Sequence, residues 1–210
     1  MIEFIQKTDI TLFLMLNRDV ANPVLDVIMP YITDVDHWTI PILLIWLYMM
    51  IFKGKKGRLF GIGIIFAIGM SDFISSSVIK PWVHRLRPCH PEFFIEGGRF
   101  LMGMKKSMSF PSSHAANMGA MATYFTIRYP KTRWIVISIA VIIGYSRVYV
   151  GVHYVTDVIA GFLLGLLCAV FILNAEKWIG RVWQKRKTGK KEAETPESQH
   201  LPETAAEEEA

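Results

Sequence analysis

Five stretches of this chain run for fifteen residues or more with almost no charge, and the charged residues gather between them. That segregation leaves few folds open. Apolar runs of helical length separated by charged connections describe a bundle that crosses a lipid bilayer, where every backbone polar group has to be satisfied within the segment. The runs are Trp38 to Phe52, Leu59 to Ile79, about Ser113 to Ile127, Trp134 to about Tyr149, and Thr156 to Ala175. A hydrocarbon core of roughly 30 Å needs about 20 helical residues. Only the second and fifth runs reach that unaided, so the other three recruit flanking residues or dip toward a re-entrant pocket. A 52% hydrophobic composition and a mean hydropathy of +0.33 agree with this reading. The expected fold is all-α: an integral membrane bundle of about five transmembrane helices preceded by interfacial helices.

The flanking segments complete the organisation. Residues 1–33 alternate apolar clusters with charges, break at Asn22-Pro23, and read as two amphipathic helices lying in the interface. Glu3, Lys7, Asp9, Arg18 and Asp19 interrupt residues 1–20, which therefore do not read as a cleavable signal. Residues 34–178 form the transmembrane core. Residues 179–210 read as a disordered tail, first basic and then acidic, with seven Glu from Glu192 onward.

Orientation comes from the loops. One set of connections carries Lys53, Lys55, Lys56 and Arg58, then Arg128, Lys131 and Arg133, then seven Lys and Arg between Lys177 and Lys191. Together these are fourteen of the 23 Lys and Arg, and the positive-inside rule makes that side cytoplasmic. The N-terminus and the 80–112 loop then face outward. The net charge of +5 is accounted for by these loops and by an anion pocket, with no nucleic-acid partner needed. The two cysteines, Cys89 and Cys168, fall in different layers, so no disulfide is expected.

Three clusters on the outward side carry chemistry. The first is Lys80-Pro81, ending the second run, followed by Arg87-Pro88. Pro81 is expected to stop the helix. The second is Phe110-Pro111-Ser112-Ser113-His114, a helix start with a hydroxyl cap and free N–H groups that attract an anion. The third is Ser146-Arg147, then His153 and Asp157 four residues apart, which share a face if helical. An Asp beside a His orients the ring and stabilises its cationic form. Taken singly, each cluster has a plain explanation as snorkelling cations, a helix cap or a structural ion pair. Three cations, two His and one Asp meeting beside a helix N-terminus suit one ligand, a tetrahedral oxyanion of roughly −1.5 to −2 charges.

Lys-x6-Arg-Pro, Pro-Ser-x-His and Ser-Arg-x5-His-x3-Asp, in that order from Lys80 to Asp157, resemble the type 2 phosphatidic acid phosphatase superfamily. The departure is Ser113, where that pattern usually has Gly. The resemblance implies His153 as nucleophile, Asp157 as its orienter and His114 as general acid. Lys80, Arg87 and Arg147 would hold the phosphoryl oxygens, with Ser112 and Ser113 as further donors. It implies no metal and no cofactor, and a lipid phosphate substrate: undecaprenyl diphosphate, phosphatidylglycerol phosphate, phosphatidic acid or lipid A 1-phosphate. The expected location is a bacterial inner membrane with the site on the periplasmic face.

Arg85, Arg99, Lys105 and Lys106 favour a second phosphate on the head group, and the apolar loop from Phe93 to Leu101 is expected to border lateral entry of a lipid. Asp72 reads as a polar contact between helices, with support of Lys80 through Ser76 as the other role. Gly161-x3-Gly165 marks close packing, within the monomer or across a dimer. Other functions from the same residues are hydrolysis of soluble phosphate esters, anion transport and a vanadate-dependent oxidase. Transport is disfavoured because no internal repeat is visible and the ionic residues lie at one face.

Overall fold

The computed structural model describes residues 2–194. Helix α1, Ile2–Leu14, passes through a wide π turn at Met15–Asp19. Asn22 then caps α2, Pro23–Thr33, its side chain accepting from the N–H groups of Val24 and Leu25. Next come α3, Asp36–Phe52, and α4, Gly54–Phe73. A π turn at Ile74–Ile79 leads into the short α5, Lys80–Val83. The outer loop holds a two-stranded antiparallel ribbon, β1 at Cys89–His90 and β2 at Phe93–Phe94, with Cys89 opposite Phe94. Three helices follow: α6, Ser113–Arg128; α7, Arg133–Tyr149; and α8, Val155–Glu194.

The chain is an all-α membrane bundle. The continuous helical stretches Gly54–Val83, Pro130–Tyr149 and Val155–Thr188 are each long and apolar enough to cross a bilayer. Helices α2 and α3, bent by 51° to one another, meet the same test as a pair. Large apolar side chains such as Leu44, Phe66, Ile135 and Leu167 are exposed along the helices, where only lipid can cover them. Helix α6, at 16 residues, is about 24 Å long and falls short of the roughly 30 Å core. The outer loop and the N-terminal helices pack over its start.

Two packing layers matter for the site. The inner layer sets Phe60, Ile64 and Ala67 of α4 against Ala120 and Tyr124 of α6 and Ala169 and Leu173 of α8. The outer layer gathers Phe13, Ile95, Ala115, Val148, Tyr154 and Val158. The glycine pair lies inside the monomer. A Cβ at Gly161 would come 2.5 Å from the Ser112 carbonyl oxygen, and one at Gly165 would come 2.0 Å from that of Ala116. No side chain fits there, so α6 and α8 touch backbone to backbone, and their first turns stand side by side. Asp72 accepts a hydrogen bond from Asn117 Nδ2 at 3.1 Å, the interhelical contact expected of it.

Three sequence expectations are revised. Pro81 does not end its helix, which continues to Val83 and stops at His84 in the left-handed region (φ 54°). The preceding π turn, in which the Lys80 N–H reaches back to the Ser75 carbonyl, widens the coil and makes room for the proline ring. Not all of the apolar loop from Phe93 to Leu101 is placed to border an entry: Phe93 and Phe94 are exposed, but Ile95 is buried and Phe100 packs on the core. Residues from Asn174 form a unit of their own. There the basic segment is helical as far as Glu194, where a disordered tail was expected; the acidic stretch beyond lies outside the described residues.

Candidate active site

Asp157 sits in the first turn of α8 with its carboxylate fully buried. Its Oδ2 accepts the Tyr154 N–H at 3.0 Å and faces His153 Nδ1 at 3.4 Å. His153 therefore lies in the turn just before α8, and the loop geometry, in place of a shared helix face, brings the pair together. On the other side of the ring, Arg87 Nη1 donates to His153 Nε2 at 3.0 Å. An arginine can only donate, so Nε2 carries a lone pair and Nδ1 carries the proton that points at Asp157. Burial, then the charges of Arg87, Arg147, Lys80 and His114, hold the His153 pKa well below the ordinary histidine value, and the ring is neutral at physiological pH.

The three expected cations converge on this ring. Arg87 is buried and also donates to the Val152 carbonyl at 2.9 Å and to the Ser107 carbonyl at 2.9 Å. Arg147, at the end of α7, is buried and donates to Thr33 Oγ1 of α2 at 2.7 Å, while its Nε has no hydrogen-bond partner among the described residues. Lys80 donates to Ser113 Oγ at 2.7 Å. Every one of these partners is neutral. Three positive groups thus share a pocket without a bonded carboxylate, an arrangement that an oxyanion relieves.

The α6 N-terminus forms the remaining wall. Ser112 is the N-cap: its Oγ accepts the Ala115 N–H at 3.5 Å and its own N–H donates to the Asp157 backbone carbonyl at 3.0 Å. Ser113 Oγ is a hub. Besides Lys80 it meets Ser75 Oγ at 2.9 Å and Ser76 Oγ at 3.0 Å, both from the π turn. The hydroxyl that departs from the usual Gly is therefore what fastens Lys80 to α6, and Ser76 reaches Lys80 only through it. His114 follows on the same turn, partly buried, with no protein hydrogen bond among the described residues.

Two basic residues are committed elsewhere than expected. Arg85 Nη1 donates to Asp157 Oδ1 at 2.7 Å, and its Nη2 to Asp9 Oδ2 at 2.6 Å. Arg99 Nη2 donates to Asp26 Oδ2 at 2.5 Å. Neither is available for a second phosphate; Lys105 and Lys106 remain exposed. Asp9, Asn17 and Thr33, all buried in this region, were not read from the sequence. A signal for two of them existed. Asp9, Phe13 and Asn17 fall four apart, so the polar pair shares a helix face with a core phenylalanine.

A helical membrane bundle that gathers at one end a neutral histidine paired with an aspartate, three cations and an open helix N-terminus defines the class of integral membrane phosphatases. Residues 60–181 match the PAP2 superfamily, and the chain belongs to that superfamily of phosphoric monoester hydrolases. It is 31% identical to a lipid A 4'-phosphatase of Porphyromonas gingivalis over 85% of this chain and 79% of that one. It is 35% identical to phosphatidylglycerophosphatase B of Bacillus subtilis over 55% of this chain and 58% of that one. A crystal structure of a transmembrane PAP2-type phosphatidylglycerolphosphate phosphatase from Bacillus subtilis superposes with a TM-score of 0.64 at 27% identity, covering 83% of this chain and 87% of that chain.

Proposed function

We propose that this enzyme hydrolyses a lipid phosphate monoester without a metal, through a phosphohistidine on His153, at the outer face of a bacterial inner membrane. One observation carries the reading: Arg87 contacts His153 Nε2, Lys80 and Arg147 act on the same ring through their charge, and all three bond only to neutral groups. The relatives named for lipid A, phosphatidylglycerophosphate and undecaprenyl diphosphate support a lipid leaving group. Lipid A 4'-phosphate is the first candidate, because the lipid A 4'-phosphatase similarity spans most of both chains. Commitment of Arg85 and Arg99 to Asp157, Asp9 and Asp26 removes two of the four supports for a diphosphate preference, which favours a monoester.

The chemistry follows from the geometry. An incoming phosphoryl group draws Arg87 Nη1 off His153 Nε2 and onto an equatorial oxygen, exposing the lone pair. Arg147, Lys80 and the first amides of α6 take the remaining oxygens and neutralise the charge that spreads over them. Nε2 attacks phosphorus in line; the N–P bond forms as the bond to the lipid oxygen breaks. Burial and the charges of Arg147, Lys80 and Arg87 lower the His114 pKa to about 3, so the free ring is neutral; it takes a proton from the singly protonated phosphate monoester as that binds and passes it to the departing oxygen. Asp157 balances the charge left on the ring through Nδ1–H. His114, now neutral, takes a proton from water, the hydroxide attacks phosphorus, and the N–P bond breaks to release phosphate and restore the ring.

A phosphate-release panel on the purified full-length chain in detergent tests this. It comprises lipid A 4'-phosphate, lipid A 1-phosphate, phosphatidylglycerol phosphate, undecaprenyl diphosphate, phosphatidic acid and one sugar phosphate. A lipid monoester is expected to show the highest kcat/KM. Faster turnover of the sugar phosphate than of every lipid moves the assignment to soluble esters.

A further inference from the structure

Helix α1 does more than rest on the bundle. Asp9 and Asp157 are both completely buried, and a single guanidinium, that of Arg85, bridges them at 2.6 and 2.7 Å. Arg85 is held from a third side by Thr156 Oγ1 at 2.7 Å and lies 4.0 Å over the Tyr154 ring. Asp9 in turn accepts the Thr156 N–H at 3.1 Å and bonds to the Thr156 hydroxyl, so it also caps the first turn of α8.

From this geometry we infer that Asp9 and Arg85 are positioning residues for the His153–Asp157 pair, and that α1 is thereby a working part of the active site. The inference rests on the reading of His153 as the reacting group. Two physical arguments carry it. First, the contact between His153 Nδ1 and Asp157 Oδ2 is long, at 3.4 Å, and cannot by itself fix the carboxylate. Arg85 on Oδ1 and the Tyr154 N–H on Oδ2 fix its plane, leaving Oδ2 aimed at the ring. Second, an arginine paired to Asp157 alone would cancel the negative charge that His153 needs once it is phosphorylated. Asp9 shares that guanidinium, so the cluster of two carboxylates and one arginine keeps a net negative charge beside the ring.

Asp9→Asn keeps the shape and one acceptor while removing the charge; Arg85→Lys keeps the charge while losing the two-pronged bridge. Each, in the full-length chain in detergent, is expected to lower kcat about 10- to 100-fold with KM within about threefold, the size of effect expected when a reacting group is slightly misplaced. The second readout needs no turnover. The imidazole ¹⁵N shifts of His153 are expected to show a single Nδ1–H tautomer in the wild type and a mixture in both variants. A folded variant, with a thermal midpoint near wild type, that retains full kcat overturns the inference, as does an unchanged tautomer in both variants. If Asp9→Asn does not fold, Arg85→Lys decides. A wild type that hydrolyses nothing in the panel defeats the phosphatase reading instead, and the tautomer measurement still judges the role of Asp9 and Arg85.

Discussion

Arg87 Nη1 and His153 Nε2 stand 3.0 Å apart, with the imidazole between a guanidinium on one nitrogen and the Asp157 carboxylate on the other. The arginine on Nε2 and the correctly aimed Asp157 carboxylate on Nδ1 together fix the tautomer before any substrate arrives, since one nitrogen must accept and the other must donate. On the proposed mechanism, the Nε2 lone pair is masked at rest and is freed only by a group that competes for Arg87. A phosphoryl oxygen does so; a neutral ester does not.

Replacing Asp157 with Asn tests the tautomer directly. The amide can offer its N–H to Nδ1, which places the ring proton on Nε2 and removes the lone pair from the pocket. A loss in kcat of about 10⁴ is expected, as for the equivalent change in a Ser-His-Asp triad. His153→Ala is expected to abolish turnover with folding intact. Rapid-quench trapping with ³²P-labelled substrate should give an acid-labile, base-stable phosphoprotein in the wild type and none in the alanine variant. Equal labelling in both rules out His153 as nucleophile.

Burial and four neighbouring positive or ionisable groups depress the His153 pKa, so its useful neutral form persists well below pH 6.5. The sign for folding is the same: the unfolded histidine takes up a proton as pH falls through 6.5, the folded one does not, and this group's contribution to stability, full above 6.5, declines with acidity until the folded pKa is reached. A ¹⁵N titration of His153 in the ligand-free enzyme should show no protonation at pH 6.5. Half-protonation at or above that value contradicts the pocket's electrostatics.

Much of the site was legible because its groups come in short, contiguous motifs. Lys80, Arg87, Ser112, His114, Arg147, His153 and Asp157 each announce themselves beside an apolar run, where an ionisable residue is costly. The contacts that hold them were not legible. Asp9 reaches Thr156 across 147 residues of sequence, and nothing local to either marks the pair. The five long helices followed from apolar length. The π turn before Lys80 did not, because its cause is a proline one turn further on and its effect is a change of hydrogen-bond register. The same turn delivers Ser75 and Ser76 to Ser113, so the consequence of having Ser where Gly is usual was hidden with it.

Ser113→Gly should therefore weaken this enzyme. Its hydroxyl anchors Lys80 at 2.7 Å, and a hydrogen bond to a charged group contributes about 1.5–3 kcal/mol. Part of that is recovered when Lys80 binds the phosphoryl group directly, so a fall in kcat/KM of about tenfold, or about 1.4 kcal/mol, is expected. Unchanged kcat/KM would show that Lys80 is held adequately by the pocket without Ser113.

The cations of the pocket supply the field that a divalent ion provides in other phosphatases. Activity is expected to survive excess EDTA, and Lys80→Ala, Arg87→Ala or Arg147→Ala to remain inactive when Mg²⁺ is added. A strict, reversible Mg²⁺ requirement in the wild type contradicts the mechanism.

The last expectation concerns which face the site occupies. Lys53, Lys55, Lys56, Arg58, Arg128, Lys131 and Arg133 lie at the helix ends opposite Lys80 and His114, and the positive-inside rule turns those ends toward the cytoplasm. Glu96 sits in the outer loop, exposed, two residues past the β2 strand. The chain supplies a favourable background for labelling, because Cys89 and Cys168 are both buried and burial pushes the Cys89 thiol above its ordinary pKa. Glu96→Cys, with both native cysteines changed to Ser or Ala, should react with a membrane-impermeant maleimide in intact spheroplasts. A cysteine replacing Lys56, in the first turn of α4 and so at the opposite end from Lys80, should react only after lysis. The reverse pattern would turn the molecule over and put the hydrolysis on the cytoplasmic leaflet, where a different pool of lipid phosphates would reach His153.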